Sequence, residues 1–534
     1  MTATATAAAP RLRTIDTNIP ARLDRLPWSR WHWRILIGLG TVWILDGLEV
    51  TIVGSIAGAI SAKGSGINIS AGDIAGWAAS MYVAGACFGA LLFGRLTDVF
   101  GRKKLFMITL GVYLAATVAT AFAWTPWFFF AARFVTGMGI GGEYSAINSA
   151  IDELIPAKHR GRIDIIINGT YWAGAAAGAL LSVAALHIFS PLLDWRVCFG
   201  LGAILGLAIL IVRRHVPESP RWLFIHGREE EAEEITRDIE RQVVQSTGAQ
   251  LDEPDDSITI RQRKSIPLWE TARGIVARYP KRTVLGLALF ISQAFLYNAI
   301  LFGYATLLSK FFGVATANAP YYLVAFAAGN LLGPLVLGRL FDTVGRKPMI
   351  AGTYILSGVL LLVTGYLFDQ HQLTAGTLTL CWTVVFFFAS AGVSAAYLTV
   401  SEIFPMETRA LAIALFYAVG TGIGGIIGPQ LFGRLIPTGK TSDVFVALVI
   451  GSALMIVGGL AELAFGVKAE RRRLEGIAKP LTAVEQAVRT TATRAAEAGA
   501  RTARAAGRTA EAGARAAHAG GQAGPGQGGT PRPA

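Results

Sequence analysis

At 534 residues, 53% of them apolar and only 16% charged, the chain is too hydrophobic for a string of soluble domains, and its charges gather between long uncharged stretches. That distribution fits a polytopic membrane protein. The formal charge of +13 does not call for a nucleic-acid partner, because its placement follows membrane topology.

Residues 1–32 form a polar, basic arm ending in Trp28, Trp31 and Trp33, which suit the headgroup level of a bilayer. A helix crossing the roughly 30 Å hydrocarbon core needs about 20 apolar residues. Six runs meet that need in the first half: 33–60, 73–97, 104–123, 127–151, 162–189 and 194–213. The first is too long for a signal-peptide core and no small-residue cleavage site frames it, so the N-terminus is expected to stay on the chain. A polar segment, 214–282, follows. Its stretch Gly227-Arg228-Glu229-Glu230-Glu231-Ala232-Glu233-Glu234 predicts an amphipathic helix under the bundle. Six further runs occupy 283–309, 319–341, 348–368, 375–402, 409–435 and 442–466. Residues 467–534 are an Ala/Arg/Glu/Gly tail with little to bury, expected to be disordered and given no transport role. The predicted organisation is therefore an arm (1–32), a six-helix bundle (33–213), a central loop (214–282), a second six-helix bundle (283–466) and the tail.

Most of the cations, among them Arg95, Arg102, Lys103, Lys104, Arg160, Arg162, Arg339, Arg346, Lys347 and Arg409, fall on one side of these spans. The other side offers only a few, such as Lys63, Arg196, Lys310, Arg434 and Lys440. The positive-inside rule makes the first side cytoplasmic, with both termini there. Cys87, Cys198 and Cys381 lie singly inside apolar runs and read as packing residues, without disulfide or metal spacing. Asn68-Ile69-Ser70 matches a glycosylation sequon on the outer side, but the Ala/Gly/Arg-rich composition favours a bacterial cytoplasmic membrane.

Two signatures occur once in each half. Gly94-Arg95-Leu96-Thr97-Asp98-Val99-Phe100-Gly101-Arg102-Lys103 recurs as Gly338-Arg339-Leu340-Phe341-Asp342-Thr343-Val344-Gly345-Arg346-Lys347. Glu153-Leu154-Ile155-Pro156 before Arg160 recurs as Glu402-Ile403-Phe404-Pro405 before Arg409, at nearly the same offset. Charge clusters repeated at matched depth in two hydrophobic halves point to a duplicated membrane transporter.

Ionisable groups inside a span cost at least about 2.5–3.5 kcal/mol on insertion scales and need a partner or a purpose. Asp46 and Glu49 share a face of the first span, with Gly47 between them allowing a neighbouring helix to approach. Each reads either as a proton acceptor or as half of a fixed ion pair. Glu143, ten residues beyond Arg133 on the fourth span, is a second pathway carboxylate or a bond across a packed helix face. Glu462 reads as a helix-contact or interfacial residue. No nucleophile–base set, metal spacing or phosphate loop appears, so no enzyme, cofactor or metal site is expected.

These motifs resemble those of the major facilitator superfamily over roughly residues 33–466. The loop holding Gly94, Asp98, Gly101, Arg102 and Lys103 is similar to that superfamily's hallmark, and Pro217-Glu218-Ser219-Pro220-Arg221-Trp222-Leu223 looks like the signature of its sugar-porter branch. Gly141-Gly142-Glu143-Tyr144-Ser145-Ala146-Ile147-Asn148 is more like bacterial metabolite:proton symporters. The resemblance implies an all-α fold of twelve transmembrane helices in two pseudo-symmetric bundles. It implies proton coupling through Glu49 and its partner Arg133, with Asp46 as the rival acid. It also implies a cytoplasmic gate of ion pairs among Asp98, Arg102, Glu153 and Arg160, and among Asp342, Arg346, Glu402 and Arg409. Substrate contacts are expected from Gln293, Asn298, Asn168, Tyr397, Trp382 and Glu143, with Tyr171, Trp172 and Asn330 on the same cavity-forming helices. Ser292-Gln293 stands where sugar porters carry paired glutamines, and Tyr397 where they carry tryptophan, so hexose does not follow. The reading is a monomeric, proton-coupled symporter of a small hydrophilic metabolite: an organic acid, sugar or polyol. The alternatives are a drug:proton antiporter, whose fifth-helix proline is missing among Gly169, Gly174 and Gly178, and a non-transporting nutrient sensor on the same fold.

Overall fold

In a hydrocarbon core every backbone N–H and C=O must find its partner inside the chain, so uncharged runs of this length close into helices. The structure, a computed structural model, describes residues 14–156, 158–213, 217–254, 257–261, 268–405, 409–469 and 477–478. Twelve long helices coincide with the twelve apolar runs. They are α1 (Arg30–Ser55), α2 (Ala79–Phe100), α3 (Arg102–Ala121), α4 (Pro126–Leu154), α5 (Tyr171–Ile188) and α6 (Asp194–Arg213), then α7 (Pro280–Phe312), α8 (Ala319–Thr343), α9 (Arg346–Asp369), α10 (Ala375–Ile403), α11 (Arg409–Leu435) and α12 (Thr441–Phe465). The helix Arg160–Gly169 leads into α5, and a π-helical turn, Ile74–Ala78, leads into α2. Ten of these spans are long and apolar enough to cross a membrane by length and composition alone. The others are α4, which carries Arg133, Glu143 and Glu153, and α6.

Packing repeats from one half to the other. α2 packs on α4 as α8 does on α10, α1 on α5 as α7 on α11, and α3 on α6 as α9 on α12. Between halves, α2 meets α11 and α5 meets α8, while α1 meets its own counterpart α7. Each pairing is the image of another six helices along the chain, which is the pattern of an internal two-fold. The repeated motif has a local cause. Gly101 and Gly345 sit at the α2–α3 and α8–α9 turns with φ of 91° and 122°, backbone that a side chain would strain. Gly47 has another role: a Cβ there would run into the Tyr171 carbonyl, so glycine lets α1 and α5 touch backbone to backbone.

From residue 14 on, the arm is tied down. Thr14–Thr17 pairs antiparallel with Ile258–Arg261, Thr14 opposite Arg261 and Thr17 opposite Ile258. Next comes a short helix, Ile19–Asp24. Its Arg22 reaches Glu233 at 2.7 Å and Glu240 at 2.5 Å, and Arg25 reaches Glu240 at 2.7 Å. Both glutamates lie on Glu229–Thr247, the amphipathic helix read from the sequence, which buries Ala232, Thr236, Ile239 and Val243. Of the tail, residues 470–476 and 479–534 lie outside the described residues.

Burial pushes the Glu240 carboxyl up, but the hydrogen bonds and charges of Arg22 and Arg25 outweigh it and hold the group below its ordinary value. A depressed carboxyl stabilises the clasp above its unclasped pKa, about 4.3, and loses that contribution as pH falls through the lower, clasped value. Spin labels on Asn18 and Ser246 should therefore keep a short, narrow distance at neutral pH and broaden only in strong acid. Arg22→Ala should broaden it already at neutral pH, and an unchanged distance would show that the strand pairing alone holds the arm.

Glu462 is fully buried on α12, and neither carboxylate oxygen has a hydrogen-bond partner among the described residues. An unsatisfied buried polar group costs about 1–3 kcal/mol. Glu462→Met should thus raise the melting temperature in detergent without slowing transport. A drop in both would give this carboxylate a working role.

Candidate functional site

The acidic pair on α1 faces two different partners. Glu49 accepts from Arg133 Nη1 at 2.5 Å, and the two side chains are 0% and 1% exposed. The rings of Tyr82 and Phe199 lie 5.4 Å and 5.5 Å from the Arg133 guanidinium, so apolar and π surface replaces water around the cation. Asp46, one turn earlier, accepts from the Tyr82 hydroxyl at 3.2 Å and from the Tyr144 hydroxyl. Breaking a buried pair such as Glu49–Arg133 costs about 3–5 kcal/mol, because it strands a charge.

Beside Asp46 lies a cavity of about 120 Å³ between the halves. Asn168, Gln293, Asn298 and Tyr397, expected from the sequence, all line it, as do Tyr171 and Trp172. Trp43, Tyr82, Tyr144, Tyr297 and Tyr417 complete an aromatic wall, with Ser390, Ser394 and Thr421 among the polar groups. No sequence signal singled these out, since each helix contributes only one or two of them.

Two expected substrate residues are elsewhere. Trp382 is buried on α10 against Tyr304, ring centroids 5.2 Å apart, and does not line the cavity. It precedes Ser390, the first cavity residue on α10, by eight residues, about 12 Å of helix, which puts it at another depth. Glu143 is not among the residues lining the cavity and accepts from Thr109 on α3 at 3.3 Å, a bond across packed helices. Asn330 likewise holds the Tyr297 hydroxyl at 3.0 Å from behind the wall.

The charge clusters meet at the end of the bundle that carries the arm. Arg102 pairs with Glu153 at 2.8 Å, and its backbone N–H, with that of Lys103, donates to Glu218, an anion placed at the N-terminus of α3. In the second half Arg346 pairs with Asp342 at 2.6 Å and Glu402 at 3.1 Å and donates to the Phe341 carbonyl. Asp342 also crosses between halves, accepting from the Arg162 backbone N–H at 2.9 Å. Arg160 also pairs outside the expected set, with Asp24 of the arm at 3.2 Å, which takes Arg221 at 3.3 Å as well. The side chains of Asp98 and Arg409 lie outside the described residues.

A family model described as sugar (and other) transporter matches residues 37–466. The chain belongs to that family. It is a multi-pass membrane transporter of the major facilitator superfamily, not an enzyme. Among its relatives, the niacin transporter NiaP of Acinetobacter baylyi is 27% identical over 77% of this chain and 89% of its own. The putative metabolite transport protein YdjK of Escherichia coli is 28% identical over 86% of this chain and 96% of its own. The proton:xylose symporter XylE, solved with 6-bromo-6-deoxy-D-glucose, superposes with a TM-score of 0.68 at 20% identity, covering 83% of this chain and 98% of that one. A partially occluded inward-open form of XylE from E. coli gives a TM-score of 0.63, also at 20% identity, covering 82% and 99%.

Proposed function

We propose that this transporter carries a small metabolite together with protons by alternating access, with the solute in the central cavity and the proton on Glu49. The observation that carries the reading is the Glu49–Arg133 pair, buried beside the cavity with Glu49 Oε2 lacking a hydrogen-bond partner among the described residues. An ion pair costly to bury and unable to relax into water is a poor fixture. It is a suitable coupler, because separation from Arg133 lets Glu49 take up a proton in place of its counter-charge. Asp46 is the second acid within one helical turn. Gln293, Asn298, Asn168 and Tyr397 orient the solute, and the ion pairs of Arg102 and Arg346 close the basic end, which faces the cytoplasm together with both termini. The names of the relatives support this reading, one being a proton:xylose symporter and another a niacin transporter. The membrane is the bacterial cytoplasmic membrane, and the working unit is a monomer.

The test is uptake into proteoliposomes across sugars, polyols, small carboxylates and flat ring compounds, with and without an inward proton gradient. Accumulation of one class above equilibrium that collapses with a protonophore is the expected result. Accumulation that the protonophore leaves intact overturns proton coupling.

A further inference from the structure

The cavity's chemistry is one-sided. Among the described residues its lining holds no Lys, Arg or His. The Arg133 guanidinium is committed to Glu49 behind the Tyr82 ring. The Asp46 carboxyl lies one hydroxyl behind the wall, held by Tyr82. An anion entering here would lose its water and find no cation in the wall.

Hydrogen-bond direction adds a second constraint. A tyrosine hydroxyl has one proton to give. Tyr82 and Tyr144 give theirs to Asp46, and Tyr297 gives its own to Asn330. The Asn298 amide gives one of its two N–H groups to the Ala294 carbonyl at 2.9 Å. Tyr82 and Tyr297 therefore offer acceptor oxygens, to which a solute can bring its own N–H protons. The third constraint is shape. Aromatic rings come from both halves, Trp43, Tyr82 and Trp172 from one and Tyr297, Tyr397 and Tyr417 from the other, so a bound molecule meets π surface on two sides. A flat ring has two such faces to offer, whereas a polyol directs hydroxyls toward both.

Resting on the transport reading above, we propose that the cavity selects a small flat aromatic ring bearing an uncharged N–H donor, an aromatic amide, and rejects the matching carboxylate. Benzamide and benzoate are near-isosteres that differ in charge and in donor, and xylose stands for the polyols. Titrated into the purified full chain at neutral pH, benzamide should quench the fluorescence of the wall tryptophans Trp43 and Trp172. Benzoate should bind at least about tenfold more weakly, a difference of about 1.4 kcal/mol, and xylose no better than benzoate. Thr421→Lys, which places a cation in the wall, should narrow or reverse the benzamide-to-benzoate ratio. Benzoate or xylose binding as well as benzamide, or no quenching by benzamide up to about 10 mM, ten times the Kd of a weak 1 mM site, overturns the proposal. An unaltered ratio in folded Thr421→Lys overturns the charge argument. Proteoliposome uptake separates this from coupling. Benzamide that exchanges but never accumulates defeats the proton reading alone, while a gradient-driven carboxylate or sugar defeats the amide alone.

Discussion

Glu49→Gln should abolish accumulation against a gradient while leaving solute exchange across the membrane intact. The amide keeps the shape and an acceptor oxygen for Arg133, so the helices α1 and α4 stay in register. What it loses is the ability to alternate between a charge paired with Arg133 and a protonated, neutral group. Internal solute should then rise only to equality with the outside. Arg133→Ala should be harsher, because it leaves the Glu49 carboxylate, 0% exposed, without its cation. Breaking such a pair costs about 3–5 kcal/mol, enough to show as a lower melting temperature besides lost coupling. Asp46→Asn belongs in the same assay. If it loses accumulation while Glu49→Gln concentrates solute normally, the proton rides one turn earlier than proposed. If all three variants still concentrate solute, this helix does not couple.

The second large effect is expected at the basic end. Arg346→Ala removes the cation from Asp342 and Glu402 at once and strands two carboxylates that are 8% and 2% exposed as side chains. The loss should pass to the interface, since Asp342 is also the acceptor for the Arg162 N–H across the halves. Each 1.4 kcal/mol of closure lost raises the open population about tenfold where the open state is the minor one. A cysteine at Ser394 on the cavity wall, in a background without Cys87, Cys198 and Cys381, should then react faster with an impermeant maleimide added at this end. Asp342→Asn isolates the crossing bond from the rest and should give a smaller rise. Unchanged labelling in Arg346→Ala and Arg102→Ala alike would leave these charges the single role of setting topology.

The scaffold was readable because its cause is local. Twenty uncharged residues in a row admit one solution in lipid, and the glycines of the repeated loops mark turns that need positive φ. The charged sets inside one half, which hold the pairs Arg102–Glu153 and Arg346–Glu402, were legible as repeated motifs, while the Glu49–Arg133 pair came from the family resemblance. What stayed hidden depends on distant segments. Asp24, a partner of Arg160, belongs to an arm whose placement follows from a four-residue strand pairing with 258–261 and from glutamates on the central helix. The aromatic wall was hidden for a different reason. Its members are dispersed one or two to a helix, and an aromatic residue in a span is ordinarily packing or belt, as Trp382 proves to be. Tyr82 and Tyr144 gain their meaning only when α2 and α4 bring both hydroxyls to Asp46.

Proton movement itself is the most direct test of the account. Proteoliposomes loaded with a pH-sensitive dye, given a solute that the uptake screen has shown to be transported, report whether protons travel with it. The account predicts acidification of the lumen on solute addition with wild-type protein, and solute exchange without acidification in Glu49→Gln. Solute entry with no pH change in wild type, or acidification undiminished in Glu49→Gln, would contradict it.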